Sequence, residues 1–348
     1  MKTISLCMIV KNESKVINRC LSSVKDLVDE IIIVDTGSKD NTKKICSKYT
    51  AKIYDYEWHN DFSAARNFSF SKAGGDYIMW LDADDIIPQK SLEKLLTLKK
   101  KLTADTYMLK YDVAFNNNIP TFSFYRERIL KNCYNAKWVG CVHECITPFG
   151  EIKKLDISIE HHKLKTTTKN RNIKIYNEII KNRTLSPREQ YYYGRELYDH
   201  KRYKKCIRVL DNFINSKQGW VENIIDACYI ISNCYLQLNL PEKHIEYLYK
   251  TFNYSTPRPN ICCKIGDYFF NNKNYILSEY WYLLSLSLIN KTKDYGFMEY
   301  IYNGYYQYLQ LCVVYFKLGK IKKSEFYNNL ADKCFSTETT RYNKKFFE

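Results

Sequence analysis

Short apolar runs alternate with amphipathic segments through the first hundred residues of the chain. Four runs have the length and the β-branched content of strands, at 4–10, 30–35, 51–56 and 77–82. Three segments between them have helical spacing, at about 14–25, 41–49 and 62–72. Continuous apolar strands separated by helices predict a largely parallel sheet that is covered on both faces.

After residue 165 the pattern changes to helices alone. Four helix-turn-helix outlines align on Tyr203, Leu240, Tyr275 and Ile321, with spacings of 37, 35 and 46 residues. The first two spacings are close to the tetratricopeptide period of about 34 residues, and the third predicts an insertion at about 291–304. We therefore expect two domains, an α/β domain over 1–165 and a helical linker with a tetratricopeptide-like solenoid over 166–348.

Polar residues follow the predicted strands at their carboxyl ends, where ligands bind in parallel sheets. The stretch YIMWLDADD places Asp82, Asp84 and Asp85 directly after an apolar run. These carboxylates must meet solvent, a cation or a ligand, because an unpaired buried charge is costly. Two carboxylates one residue apart suit a hard cation such as Mg²⁺ or Mn²⁺. On this motif alone, a solvated acidic turn is the alternative.

The charge balance of the chain bears on its possible partners. The net charge is +16, and residues 1–165 hold 26 Lys and Arg against 21 Asp and Glu, whereas the remainder holds 28 against 17. This excess by itself does not choose among an acidic partner, a membrane surface and nucleic acid. No nucleic-acid-binding motif accompanies it, so we expect no nucleic acid partner.

Cysteine usage and the N-terminal run indicate the compartment. The 13 cysteines form no C-x-x-C pair, which is typical of free thiols in a reducing compartment. The apolar run at 4–10 is too short for a signal peptide or a membrane span. We expect a cytoplasmic protein without a transmembrane segment.

Four motifs occur in order in the N-terminal region: CMIVKNES, EIIIVDTGSKDNT, WHNDFSAARNFSF and GGDYIMWLDADD. Together they resemble the family 2 glycosyltransferases of the GT-A fold, in a branch that carries tetratricopeptide repeats behind the catalytic domain. The resemblance is dense over about 4–90. FYRERIL, WVGCVHE and IEHHK further along resemble acceptor-side and metal-side motifs of the family. The domain order is also similar to that of bacteriocin S-glycosyltransferases.

The resemblance implies a Rossmann-like mixed sheet followed by an all-α solenoid, and it implies roles for individual residues. The set expected to hold the nucleotide is Val10, Asn12, Glu13, Asp35, Arg66, Asp82 and Ala83. Within this set Asp35 accepts from the uracil or a ribose hydroxyl, and Asp82 contacts the ribose. For Arg66, a structural salt bridge to the acidic cluster is the alternative. Gly37 either allows a close backbone approach or forms a plain turn.

The same resemblance implies a metal site and a base. Asp84 is expected to bind Mn²⁺ or Mg²⁺ with His161, or with His143 in its place, while Asp85 lies behind them. Glu144 is the candidate base, because an inverting transfer needs a carboxylate to take the proton of the acceptor. Trp80 is expected in the core, and Trp138 at the border of an acceptor site.

These expectations combine into an inverting, metal-dependent glycosyltransferase. Its donor would be a UDP-sugar, with glucose or N-acetylglucosamine favoured, and its acceptor a peptide, a protein or a glycan. The repeats would present a binding surface, and a homodimer through them stays open. The alternative is a non-catalytic repeat scaffold with a degenerate glycosyltransferase domain.

Overall fold

A computed structural model describes residues 2–164, 170–289 and 298–347. The chain forms two compact units, Met1–Glu178 and Ile179–Glu348. The first unit is an α/β domain and the second is built mainly from helices.

The first unit alternates strands and helices as far as α4 and then forms mainly strands. Its elements in chain order are β1 (Ile4–Val10), α1 (Ile17–Val24), β2 (Glu30–Asp35), α2 (Thr42–Cys46), β3 (Ile53–Asp55), α3 (Phe62–Phe70), β4 (Tyr77–Trp80), β5 (Asp85–Ile86), α4 (Gln89–Lys99), β6 (Thr106–Asn116), β7 (Ile119–Lys131), β8 (Trp138–Val139), β9 (Cys145–Ile146), β10 (Ile152–His161) and α5 (Arg171–Asn182).

The main sheet is mixed, with the strand order β3-β2-β1-β4-β7-β6-β10-β5. The strands β3, β2, β1 and β4 run parallel to one another. β7 is antiparallel to both β4 and β6, and β5 is antiparallel to β10. The predicted mixed sheet is confirmed, whereas the largely parallel pattern of the first hundred residues describes only one half of it.

Strand register determines which side chains meet at the edge of the sheet. Val10 at the end of β1 lies opposite Asp35 at the end of β2, and Cys7 of β1 lies opposite Trp80 of β4. The carboxyl ends of these three strands therefore share one edge. On the other half of the sheet, β5 pairs with β10, and Asp85 of β5 lies opposite His161 of β10.

The core of the first unit lies on both faces of the sheet. On one face, alternate residues of β1 such as Leu6 and Met8 pack with Ile17 and Leu21 of α1. On the opposite face, Trp80 and Trp138 pack together with ring centroids 4.8 Å apart. Both indoles are buried, so the expectation that Trp138 borders an acceptor site is wrong: its ring fills the core beside β4.

The second unit is a series of helices in consecutive pairs. Its elements are α6 (Pro187–Asp199), α7 (Tyr203–Ser216), α8 (Val221–Gln237), α9 (Pro241–Lys250), α10 (Pro259–Asn271), α11 (Tyr275–Leu288), β11 (Met298–Glu299), α12 (Tyr305–Lys317), α13 (Ile321–Cys334) and α14 (Glu338–Lys344). Short 3₁₀ helices occur at Thr251–Asn253 and Tyr300–Tyr302. None of the helices in the described ranges is long and apolar enough to span a membrane.

Four helical hairpins repeat the same turn. The second helix of each begins at or next to the aligned position, and a left-handed residue lies two positions before that helix in every case: Lys201, Asn239, Lys273 and Gly319, with φ of 57°, 57°, 60° and 72°. Repetition of one turn geometry confirms the predicted repeats. Of the expected insertion, residues 291–297 lie outside the described residues.

A hydrogen bond also recurs between the two helices of each hairpin. A side chain near the start of the second helix contacts the backbone carbonyl twelve residues earlier. The pairs are Cys206 with Gly194 at 3.1 Å, His244 with Ser232 at 3.0 Å, Ser278 with Gly266 at 3.0 Å and Ser324 with Cys312 at 2.7 Å. The four hairpins thus share one packing scheme.

Candidate active site

A cleft of about 650 Å³ opens at the carboxyl ends of β1 and β4. Its walls come from the loops after these strands, from α3 and from the chain after β10. Seven of the predicted site residues line it: Val10, Asn12, Glu13, Arg66, Asp82, Ala83 and Asp84. Asp35, Glu144 and His161 lie outside this lining.

The loops after β1 and β2 are tied together by side-chain hydrogen bonds. Asn12 has a left-handed backbone, with φ of 55°. Its N–H donates to Ser38 Oγ at 2.9 Å, and its Oδ1 accepts from the Lys39 N–H at 2.7 Å. The Glu13 N–H donates to Thr42 Oγ1 at 2.7 Å. Gly37, at φ of 100°, occupies a conformation that favours glycine, so the turn itself requires this residue.

Asp35 lies beneath this pair of loops. Its side chain is buried, and Oδ1 accepts from the N–H groups of Gly37 and Ser38 at 2.9 and 2.7 Å. Oδ2 is buried as well, and within the described part of the chain it has no hydrogen-bond partner. Buried acceptors are normally satisfied, so this oxygen is suited to accept a hydrogen bond from a ligand.

The acidic loop after β4 folds back on itself through Asp85. The Oδ2 atom of Asp85 accepts from the Asp82 N–H at 2.9 Å and from Arg128 Nη1 at 3.0 Å. Its Oδ1 accepts from the Tyr111 hydroxyl at 2.7 Å and contacts His161 Nδ1 at 3.1 Å. Asp85 is fully buried. It therefore lies behind the loop, where the resemblance placed it.

Asp84, Asp85 and His161 form a group that could hold a metal ion, since one ligand atom from each lies within 4.8 Å of the others. His161 Nδ1 is 3.4 Å from Asp84 Oδ1. Carboxylate and imidazole donors suit Mn²⁺. The two predicted ligands, Asp84 and His161, are thus brought together. His143 is not part of this group, nor of any other such group among the described residues.

The electrostatics of this cluster differ from one residue to the next. Burial raises the pKa of Asp84, and the charges of Asp82 and Asp85 raise it further, although His161 opposes them. Burial would lower the pKa of His161, but Asp85, Asp84 and Asp82 raise it above its ordinary value. The ionised form of Asp84 is therefore destabilised by its surroundings, and a bound cation would stabilise it.

Arg66 connects Asp82 to Glu144. Its Nη2 donates to Asp82 Oδ1 and its Nε donates to Glu144 Oε1, both at 2.7 Å. Burial would raise the pKa of Asp82, but Arg66 and Arg128 together hold it well below its ordinary value. Arg66 thus makes the salt bridge that was the alternative to a ligand contact, while it also lines the cleft. Glu144 stays a prediction as the base.

Several residues at this site were not predicted from the sequence. Arg128 and Tyr111 contact Asp85, while Trp58, Phe62, Lys163 and Arg171 line the cleft. The Arg171 guanidinium lies 4.6 Å from the Phe62 ring centroid, and the Trp58 ring is also 4.6 Å from Phe62. The motif FYRERIL contains Arg128 and could have indicated its role. Arg128 lies between the buried strand residues Glu127 and Ile129, and a buried charge requires a buried partner.

A family of known proteins matches the first unit of the chain. Residues 5–147 match the family described as Glycosyl transferase family 2. The SPbeta prophage-derived glycosyltransferase SunS of Bacillus subtilis is 29% identical over 255 residues, which cover 68% of this chain and 60% of SunS. A TPR repeat-containing protein of Synechococcus elongatus is 52% identical over 85 residues, which cover 24% of this chain and 21% of that protein. The chain thus spans less than two thirds of these relatives.

Solved structures show a weaker likeness. The crystal structure of S. aureus TarS has a TM-score of 0.39 and 15% sequence identity, and covers 70% of this chain and 54% of TarS. The likeness to TarS at this level does not bear on function. The family match covers the loops after β1 and β4 and helix α3, whereas the cleft residues after β10 lie outside it. Residues 5–147 therefore match family 2 glycosyltransferases, which the four N-terminal motifs in this range also resemble.

Proposed function

We propose that the protein is an inverting, metal-dependent glycosyltransferase that moves glucose or N-acetylglucosamine from a UDP-sugar to a peptide, protein or glycan. The observation that carries the proposal is that Asp82 and Asp84 line one cleft at the ends of β1 and β4. At the end of β2, the Oδ2 atom of Asp35 is buried and has no hydrogen-bond partner among the described residues. Ligand clefts usually have volumes of about 300–1,000 Å³, which includes this one.

The nucleotide would bind where β1 and β2 end. Asp35 Oδ2 accepts a hydrogen bond from the base or the ribose, and Val10, Asn12 and Glu13 form the adjoining wall of the cleft. Asp82, with Ala83 beside it, holds the ribose. Arg66 keeps Asp82 ionised through the 2.7 Å contact between Nη2 and Oδ1, so that this carboxylate acts as an acceptor at neutral pH.

Asp84 and His161 would hold the divalent cation. The carboxylate suits Mn²⁺ or Mg²⁺, and the imidazole nitrogen favours Mn²⁺ over Mg²⁺. When bound, such a cation supplies positive charge to a departing diphosphate. Lys11, Lys163 and Arg171 also line the cleft, and these side chains add positive charge where the diphosphate lies.

Glu144 would take the proton of the acceptor as the acceptor attacks C1 of the sugar. Its Oε1 atom accepts a hydrogen bond from Arg66, so the proton of the acceptor goes to Oε2. The bond from the acceptor to C1 forms as the bond from C1 to the diphosphate oxygen breaks, which inverts C1. The acceptor is presented by the helical repeats, and pairing of two copies through them is a further part of this proposal.

The test is UDP release with Mn²⁺ and a panel of UDP-sugars, with wild type compared with Asp84→Ala. We expect release with UDP-glucose or UDP-N-acetylglucosamine, and a loss of about 100-fold or more in the variant. Tyr77→Phe is a control, because this buried residue of β4 lies in the same sheet and its hydroxyl donates to the Ala104 carbonyl at 3.1 Å. No release above the Asp84→Ala level with any donor would favour the scaffold alternative.

A further inference from the structure

Asp85 is the most enclosed carboxylate of the acidic loop. Each of its oxygens has two contacts: the Asp82 N–H and Arg128 on Oδ2, and Tyr111 and His161 on Oδ1. Its side chain is fully buried. A carboxylate offers about four acceptor positions, so the protein itself uses those of Asp85. This leaves Asp84 and His161 as the residues that face a cation.

Arg128 is the counter-charge of Asp85, and it lies within the core of the sheet. Its side chain is fully buried, and Nη1 donates to Asp85 Oδ2 at 3.0 Å and to the Trp80 carbonyl at 3.2 Å. The guanidinium carbon is 3.8 Å from the Trp80 ring centroid and 4.2 Å from that of Tyr111. Nε and Nη2 have no hydrogen-bond partner among the described residues, so ring contacts hold this group in place.

Tyr111 connects Arg128 to His161. Its ring packs against the guanidinium, and its hydroxyl lies 2.7 Å from Asp85 Oδ1 and 2.9 Å from His161 Nδ1. Histidines that bind metals almost always use one ring nitrogen for the metal and donate from the other to a carboxylate or carbonyl. Here Nδ1 lies next to two carboxylates, 3.1 Å from Asp85 Oδ1 and 3.4 Å from Asp84 Oδ1.

We propose that Arg128, Tyr111 and Asp85 are positioning residues, which fix the ring of His161 through Nδ1 so that His161 and Asp84 bind the cation. The inference rests on the proposed function, because it assumes that a divalent cation binds at this cluster. Arg128 holds Asp85, and Asp85 and Tyr111 hold the His161 ring, so that its Nδ1 lies 3.4 Å from Asp84 Oδ1. None of the three positioning residues needs to touch the donor.

The experiment measures Mn²⁺ binding by the full chain without any sugar nucleotide, from the electron paramagnetic resonance signal of the free ion. Tyr111→Phe removes only the bridging hydroxyl. Arg128→Lys keeps a positive charge but loses the planar group between the two rings. We expect Mn²⁺ to bind about 10- to 100-fold more weakly to both variants, which is the usual effect of changing a residue that orients a metal ligand.

Two controls separate positioning from a loss of packing. Tyr77→Phe also removes a buried hydroxyl from this sheet, and we expect it to bind Mn²⁺ as wild type does. Urea unfolding of each variant without metal then shows whether it is folded under the binding conditions.

The outcomes discriminate between this inference and the proposed function. If folded Tyr111→Phe and Arg128→Lys bind Mn²⁺ like wild type, or if Tyr77→Phe weakens binding equally, the positioning role is overturned and the proposed function stands. If Asp84→Ala binds Mn²⁺ as tightly as wild type, the cation is not at this cluster. Both the inference and the metal site of the proposed function would then be wrong.

Discussion

The two units bury charged and polar groups in different ways. In the helical unit, carboxylates are bound by cations or hydroxyl groups: Arg258 meets Glu222 through two bonds of 2.7 Å, and Tyr247 donates to Asp211 at 2.7 Å. In the sheet unit, three carboxylates lie within four positions of one loop, at Asp82, Asp84 and Asp85. Pairing of the first kind stabilises packing, whereas crowding of like charges is typical of a ligand site.

The surroundings of two histidines differ between the two units in the same way. His161 lies against the acidic loop, and although burial opposes it, the carboxylates raise its pKa. His244 is buried between α8 and α9, with Nδ1 2.8 Å from Ser232 Oγ, and burial lowers its pKa. One environment stabilises positive charge and the other excludes it. The first environment is that of the proposed cation site, and the second is that of a packed helix pair.

The largest effect is expected from Arg128→Met. The substitution leaves Asp85 as an uncompensated charge in the core, and breaking a fully buried pair costs about 3–5 kcal/mol of unfolding free energy. Urea unfolding of wild type and variant measures this loss. The double variant Asp85→Asn with Arg128→Met removes both charges, and it should regain part of the stability. A loss below about 1 kcal/mol in Arg128→Met would contradict the assigned pairing.

A packing change in the helical unit should have the next largest effect. Gly194 of α6 faces α7, and a Cβ there would lie 2.2 Å from Leu210 Cδ2. Gly194→Ala should therefore destabilise this unit by about 1–3 kcal/mol, as overpacking does. Nucleotide binding should stay unchanged, which titration of UDP measures. Weakened UDP binding by the folded variant would show that the helical unit contributes to the donor site.

A smaller, pH-dependent effect is expected at His244. Its pKa in the folded protein is below its ordinary value, so the unfolded chain binds more protons between the two pKa values. The stabilisation is complete above the unfolded pKa of about 6.5 and is lost as pH falls through the folded pKa. Thermal unfolding at pH 7.5 and pH 5 should therefore show a decrease in wild type that is reduced in His244→Gln. Equal decreases in both would show that His244 is not responsible.

Local patterns were enough to locate much of the fold. β1 and β2 have the predicted bounds because they are continuous apolar runs between polar loops. The second helices of three hairpins begin at Tyr203, Tyr275 and Ile321, the aligned positions themselves, and α9 begins one residue after Leu240. These elements depend on residues that are close in the sequence, which a single chain displays directly.

The rest of the site depends on pairs that are far apart in the sequence. Arg128 meets Asp85 across 43 positions, and His161 meets Asp85 across 76. The strand order β4-β7-β6-β10-β5 brings these residues into contact. Local sequence patterns do not predict that order. Asp84 and His161 were predicted through family resemblance. Tyr111 was missed because no motif contains it, and Arg128 was missed because FYRERIL does not show which of its charged residues is buried.

The central claim is that Asp84 in the acidic loop binds a cation and does not stabilise the fold. Because the pKa of Asp84 is raised in the folded protein, its ionised form opposes folding near neutral pH, and this effect disappears below its ordinary pKa. The most direct test is thermal unfolding of Asp84→Asn without metal at pH 7, with UDP release measured on the same samples. We predict a midpoint about 2–4 °C higher than that of wild type, together with loss of UDP release. A lower midpoint with UDP release retained would contradict the account.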